Sequence, residues 1–237
     1  MSPAAPGLLL LLWLAAPVRA AGPTHDDAGY TYMVGPFTAD FDPPEPGSYQ
    51  LPPIDRVADH ALRDSSGAAV RLADLKQHRL AVVAFVYTSC SEAAGCPLAE
   101  AILHRLDRQL ADDPTLAKHV RLLTISFDPQ RDTPERLATI RAAFAPRTDW
   151  AFLTGADEAE IAPLLEDFGQ PVAKLRYEDG TWTGTYRHVL KVFLLDEQNR
   201  VRNIYSTGLM SPELVMADLR TLVLERGAAA DTPAARR

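Results

Sequence analysis

Residues 80–127 alternate between two kinds of hydrophobic pattern. Residues 80–88 (LAVVAFVYT) form an unbroken apolar run rich in β-branched and aromatic side chains, which predicts a strand covered on both faces. Residues 97–110 then place Leu98, Ile102, Leu103, Leu106 and Leu110 at helical spacing, and residues 120–127 predict a second buried strand. Thr133-Pro134-Glu135 opens a second helix, with Thr133 as N-cap, Pro134 at the first position and an acid in the first turn. Residues 151–153 read as a short strand and residues 157–168 as a third helix closing at Gly169. Residues 172–177 and 182–187 flank Asp179-Gly180 as a hairpin. Residues 189–195 and 200–205 flank a turn at 197–199, and Ser211-Pro212-Glu213 starts a last helix running to about Glu225. Upstream, residues 61–72 give two short strand-like pieces around a Ser66-Gly67 turn. This succession predicts one α/β sandwich, a central mixed sheet flanked by helices, with the two buried strands adjacent and parallel.

The flanks read differently. Residues 7–16 (GLLLLLWLAA) are an apolar run broken by Pro17, and Val18-Arg19-Ala20 offers the small residues that a signal peptidase reads. Residues 1–20 are therefore expected to be a signal peptide, the run being shorter than the roughly twenty residues that span a bilayer. The alternative is a leader kept as an anchor. Residues 21–53 are Pro- and Gly-rich and predict an arm, residues 54–226 the folded domain, and residues 227–237 a frayed tail. The protein is expected to be periplasmic or otherwise exported, soluble once the leader is cleaved.

Composition is ordinary for a globular protein, 47% hydrophobic and 23% charged over 237 residues. The net charge is −7; loss of the leader removes Arg19 and no acid, leaving 23 basic against 31 acidic residues, or −8. That balance argues against nucleic acid or an anionic membrane as partner. A monomer is expected.

The chemistry concentrates in the only two cysteines, Cys90 and Cys96, in one short loop after the first buried strand. A bridge across five residues would constrain the unfolded chain little, which shifts weight from structure to function. Cys96 directly precedes Pro97 at the helix start, where free N–H groups and the helix dipole are expected to stabilise a thiolate. The loop position speaks against burial of these thiols. Two such sulfurs can cycle between dithiol and a Cys90–Cys96 disulfide, or hold a soft metal; with one imidazole they suit monovalent copper. Of His25, His60, His78, His104, His119 and His188, the last stands out, because it joins the predicted hairpin to the apolar run that follows. Taken alone, a histidine there is more often a packed or hydrogen-bonded residue than a ligand.

Together these segments resemble the SCO/SenC family: Tyr87-Thr88-Ser89-Cys90, Cys96-Pro97, the run from Ser126 through Asp128-Pro129-Gln130-Arg131-Asp132-Thr133-Pro134-Glu135, residues 150–155 (WAFLTG), and Arg187-His188 before a Phe-Leu-Leu-Asp strand. The resemblance covers about residues 51–223. It implies a thioredoxin-like fold and a role in copper delivery to, or thiol reduction of, the dinuclear copper site in subunit II of cytochrome c oxidase. It implies Cys90, Cys96 and His188 as copper ligands, with Cu+ the expected state and Cu2+ the alternative. The family has three residues between its cysteines and this chain has five, Ser91 to Gly95, so a less preorganised site is expected, with weaker affinity or an altered potential.

Two functions follow. One is an exported copper-binding metallochaperone. The other is a thiol-disulfide oxidoreductase that reduces client cysteines through Cys90 and Cys96. A peroxidase is a third, weaker reading, since no dedicated peroxide-activating set is visible. Asp128, Arg131 and Asp132 are expected on the same edge as the cysteine loop; either Asp132 or Thr133 caps the next helix and Arg131 pairs with a nearby acid, or the three line a client-docking surface. Tyr87 and Trp150 are expected in the core.

Overall fold

The computed structural model describes residues 41–90, 95–206 and 210–231. The leader and most of the arm, the greater part of the cysteine spacer and the last six residues lie outside them. Strands β1 (Asp55–Arg56), β2 (Ala61–Asp64) and β3 (Ala69–Arg71) precede a short helix α1 (Leu72–Lys76). Then follow β4 (Leu80–Val86), α2 (Cys96–Ala111), α3 (Pro114–Ala117), β5 (Val120–Ser126), α4 (Pro134–Phe144), β6 (Trp150–Thr154) and α5 (Glu158–Asp167). The chain finishes with β7 (Val172–Arg176), β8 (Trp182–His188), β9 (Lys191–Leu195), β10 (Arg200–Ser206) and α6 (Pro212–Asp231).

Eight strands form one mixed sheet in the order β1-β10-β9-β4-β5-β6-β2-β3. β4 and β5 pair in parallel from Leu80 opposite Val120 to Val86 opposite Ser126, and β6 continues the parallel set. On the other side β9 runs antiparallel to β4. All seven residues of β4 are buried, because the crossover helices and α6 cover the sheet and leave no polar face for the strand to alternate toward. At the centre, Phe85, Phe168 and Phe193 meet edge to face at centroid distances of 4.9–5.9 Å. This is the thioredoxin-like sandwich that the resemblance implies.

Local signals translate directly. Thr133 caps α4 by accepting from the Arg136 N–H, and Asp157 caps α5 by accepting from the Glu160 N–H at 2.9 Å. Asn199, at φ 60°, forms the turn between β9 and β10, and the buried Lys76 ammonium donates to its side-chain oxygen at 2.6 Å. α6 continues through Asp231, past the expected end at Glu225.

One element departs from expectation. The β7–β8 hairpin is a separate two-stranded sheet and takes no place in the main one. Its strands are half exposed, and it is attached to the central layer through side chains: Tyr186 is buried in the core, and Val172 and Trp182 pack against it.

Candidate metal centre

Three elements bring the site together. β4 ends at Val86, and Cys90 closes a turn by donating its N–H to the Tyr87 carbonyl at 3.1 Å. α2 starts at Cys96 with Gly95 as N-cap and Pro97 in its first turn. β8 ends at His188. Among the described residues, Cys90, Cys96 and His188 form a group whose sulfur and ring-nitrogen donors all lie within 4.8 Å of one another. His188 Nε2 is 3.7 Å from Cys96 Sγ, and the Tyr87 N–H points at the same sulfur from 3.5 Å. The His188 ring is wedged between Tyr87 and Phe127, at centroid distances of 5.8 and 5.2 Å. Both cysteines are free thiols.

The set suits a soft monovalent cation. Metal–thiolate bonds of about 2.3 Å around a three-coordinate ion place two sulfurs ~4.0 Å apart, so donors that lie within 4.8 Å of one another need shifts of less than about 1 Å to close on one ion. Two thiolates and an imidazole match the softness of Cu+.

Burial of the two sulfurs is unequal. Cys90 is half-buried, whereas Cys96 is 2% exposed. The expectation of exposed thiols therefore fails for Cys96, because the first turn of α2 packs against the core. The expected stabilisation of its thiolate fails too. Burial pushes the Cys96 thiol well above its ordinary range; the Tyr87 N–H opposes this, and Cys90 and Glu100 add to it.

Nearby groups follow the same logic. Glu100, one turn along α2, is raised to about 7 by burial and then by the neighbouring Asp132 carboxylate. The Tyr87 hydroxyl is raised to about 12 by burial and then by its hydrogen bond with Cys90. Glu100 escaped the sequence reading, although its spacing of four from Cys96 puts it on the same helix face.

Asp128 and Asp132 are both fully buried, so neither carboxylate can line a client-docking surface. Asp132 instead accepts the Thr88 N–H at 2.9 Å, the Thr88 hydroxyl, and the Ser126 hydroxyl at 2.5 Å. It fixes the chain two residues before Cys90 to the end of β5. Arg131 pairs with Asp128, as one of the two expectations had it, but also reaches across to the hairpin. Tyr87 and Trp150 are buried in the core, Trp150 donating its indole N–H to Thr124 at 2.9 Å. Of the other described histidines, His60 pairs with Asp167 at 2.7 Å and His104 contacts Arg108 at 3.0 Å; neither approaches a cysteine. His25 lies outside the described residues, as do four of the five spacer residues, 91–94.

The SCO1/SenC family model matches residues 50–224. A SCO1 protein homolog of Bacillus subtilis is 28% identical over 137 residues, 57% of this chain and 65% of that relative, so the match spans a little under two thirds of the curated relative. The structure of Bradyrhizobium japonicum ScoI with copper bound is similar at 28% identity and a TM-score of 0.57, covering 70% of this chain and 98% of that one. The solution structures of apo Sco1 from Thermus thermophilus are similar at 27% identity and a TM-score of 0.56, covering 74% and 95%.

Proposed function

Because this chain belongs to the SCO1/SenC family, we propose that it is an exported copper-binding metallochaperone that serves maturation of the dinuclear copper site in subunit II of cytochrome c oxidase. One observation carries this reading: Cys90, Cys96 and His188 converge, with donor atoms within 4.8 Å of one another. Cu+ is the cargo, held by the two sulfurs and the imidazole. A bound cation offsets the desolvation that keeps Cys96 protonated, so loading releases protons and its affinity rises with pH. Among the described residues no helix is long and apolar enough to cross a membrane. The export assignment rests on the leader.

The test is a titration of reduced, leader-free protein with Cu+ against a competing chelator, alongside Cys90→Ser and His188→Ala. The expected result is one copper bound tightly by wild type, its loss in Cys90→Ser, and much weaker but still measurable binding in His188→Ala. Equal binding by His188→Ala, or no binding by wild type, overturns the reading.

A second reading is supported by the unequal exposure of the thiols. Cys90 can meet a client disulfide while Cys96 waits beneath to resolve the mixed disulfide, so the pair would act as a thiol-disulfide reductant. It requires both cysteines and does not require His188. Reduction of a client disulfide by His188→Ala at the wild-type rate, with no copper bound by wild type, would select it.

A further inference from the structure

The hairpin that delivers His188 is a sheet of its own, so backbone pairing to the central strands does not fix its position. The two-residue link from His188 to β9 tethers one end, and side chains must hold the rest; one of them contacts both sides of the gap. The Arg131 guanidinium lies on the β5–α4 connection. Its carbon stands 4.5 Å from the Trp182 ring centroid and 5.7 Å from that of Tyr186, both on β8. One of its terminal nitrogens donates to the Gly184 carbonyl at 2.7 Å. Trp182, Gly184 and Tyr186 precede His188 by six, four and two residues, the spacing that puts residues on one face of a strand. Gly184 has φ +86°, a conformation that a side chain would strain, and this turns its carbonyl toward the guanidinium.

On the other side, Arg131 pairs with the buried Asp128 carboxylate and stands 5.8 Å from the ring of Tyr87. Tyr87 is the residue whose N–H meets Cys96 Sγ and whose ring flanks His188. A planar cation suits this place, because it can stack on rings and donate in its own plane at once, which an ammonium cannot do.

We propose that Arg131 is a positioning residue for the metal centre: it clamps the β7–β8 hairpin to the cysteine face and so holds His188 against Cys96 before copper arrives. The inference rests on the reading of His188 as a copper ligand.

A double-mutant cycle tests it, because a residue that acts through His188 has no effect once His188 is gone. Cu+ affinity is measured by chelator competition for wild type, Arg131→Met, His188→Ala and the pair. Arg131→Met is also made with Asp128→Asn, so that no buried carboxylate is left uncompensated. Trp182→Leu, which removes the stacking surface and keeps the Asp128–Arg131 pair, covers the case in which the first variants fail to fold.

The expected loss is about 10- to 100-fold in affinity with His188 present, the range for a residue that orients a ligand, and within threefold in the His188→Ala background. In the metal-free protein, backbone amide exchange of β8 is expected to quicken about tenfold or more in Arg131→Met, with β4 unchanged. Wild-type affinity in all the clamp variants, equal losses with and without His188, or unchanged exchange in β8 would each overturn the proposal. Full binding by His188→Ala alone would overturn it through the ligand reading instead, a separate and recognisable failure.

Discussion

His188 and Cys96 are separated by 92 residues along the chain, yet the ring nitrogen of one lies 3.7 Å from the sulfur of the other. The contact joins the end of an outlying hairpin to the first residue of α2. Cys90 arrives from a third direction, past the end of β4. A site assembled from three elements in this way depends on how each of them is held.

Copper should stabilise the folded protein by mass action. With free Cu+ at a hundred times the dissociation constant, the gain is about 2.7 kcal/mol. For a chain of this length that corresponds to a rise of roughly 5–10 °C in Tm. Differential scanning calorimetry of the reduced protein with and without Cu+ is expected to show it. The same addition to His188→Ala is expected to give a markedly smaller rise.

Asp132→Asn should loosen the cysteine loop from within. The carboxylate accepts from the Thr88 N–H and hydroxyl and from Ser126, and an amide can present only one acceptor oxygen to these donors. The expected cost is about 1–3 kcal/mol in urea unfolding. Faster amide exchange at Thr88 and Cys90 than in wild type should accompany it. An unchanged unfolding midpoint would show that these bonds carry no weight.

Glu100 makes stability depend on pH. Its folded value of about 7 lies above its ordinary 4.5, so the fold favours the neutral carboxyl. That contribution is fully present below pH 4.5 and is lost as pH rises through 7. In the reduced, metal-free protein, Glu100→Gln should match wild type near pH 4.5. At pH 8 it should be more stable by about 1–3 kcal/mol, the cost of ionising a carboxyl that the fold holds neutral, reduced by its partial access to solvent. Denaturant unfolding of both proteins at the two pH values is the measurement, and a difference that does not change with pH contradicts it.

The two cysteines should react unequally. Cys90 is half-buried, and Cys96 is covered and held as a thiol by burial. Iodoacetamide should therefore modify Cys90 faster than Cys96 by about tenfold or more in the reduced native protein, as read by peptide mass spectrometry. In denaturant the two rates should converge. Equal native rates would mean that the first turn of α2 opens readily.

Much of this protein could be read from its sequence. The buried strands β4 and β5, helix α2, the capped start of α4 and the hairpin turn at Asp179-Gly180 all follow from periodicities and residue types within a few positions of one another. Such signals are local, because helix and strand geometry repeat every 3.6 and 2 residues. Short elements have too few residues for a period: α1 has no side-chain cap either, and α3 carries only its Asp113-Pro114 start. The two cysteines and His188 could be named from residue types and family resemblance.

What remained for the tertiary structure was every relationship that depends on packing across the chain. The docking of an independent hairpin decided that His188 meets Cys96 and that Arg131 bridges to Gly184. The cover over α2 decided that the Cys96 thiol is raised, where its place at a helix start predicted the opposite. Burial likewise turned Asp128 and Asp132 from candidate docking residues into internal anchors. Sequence spacing carries direction along a helix or strand, but desolvation and long-range contact are set by what the rest of the fold places on top.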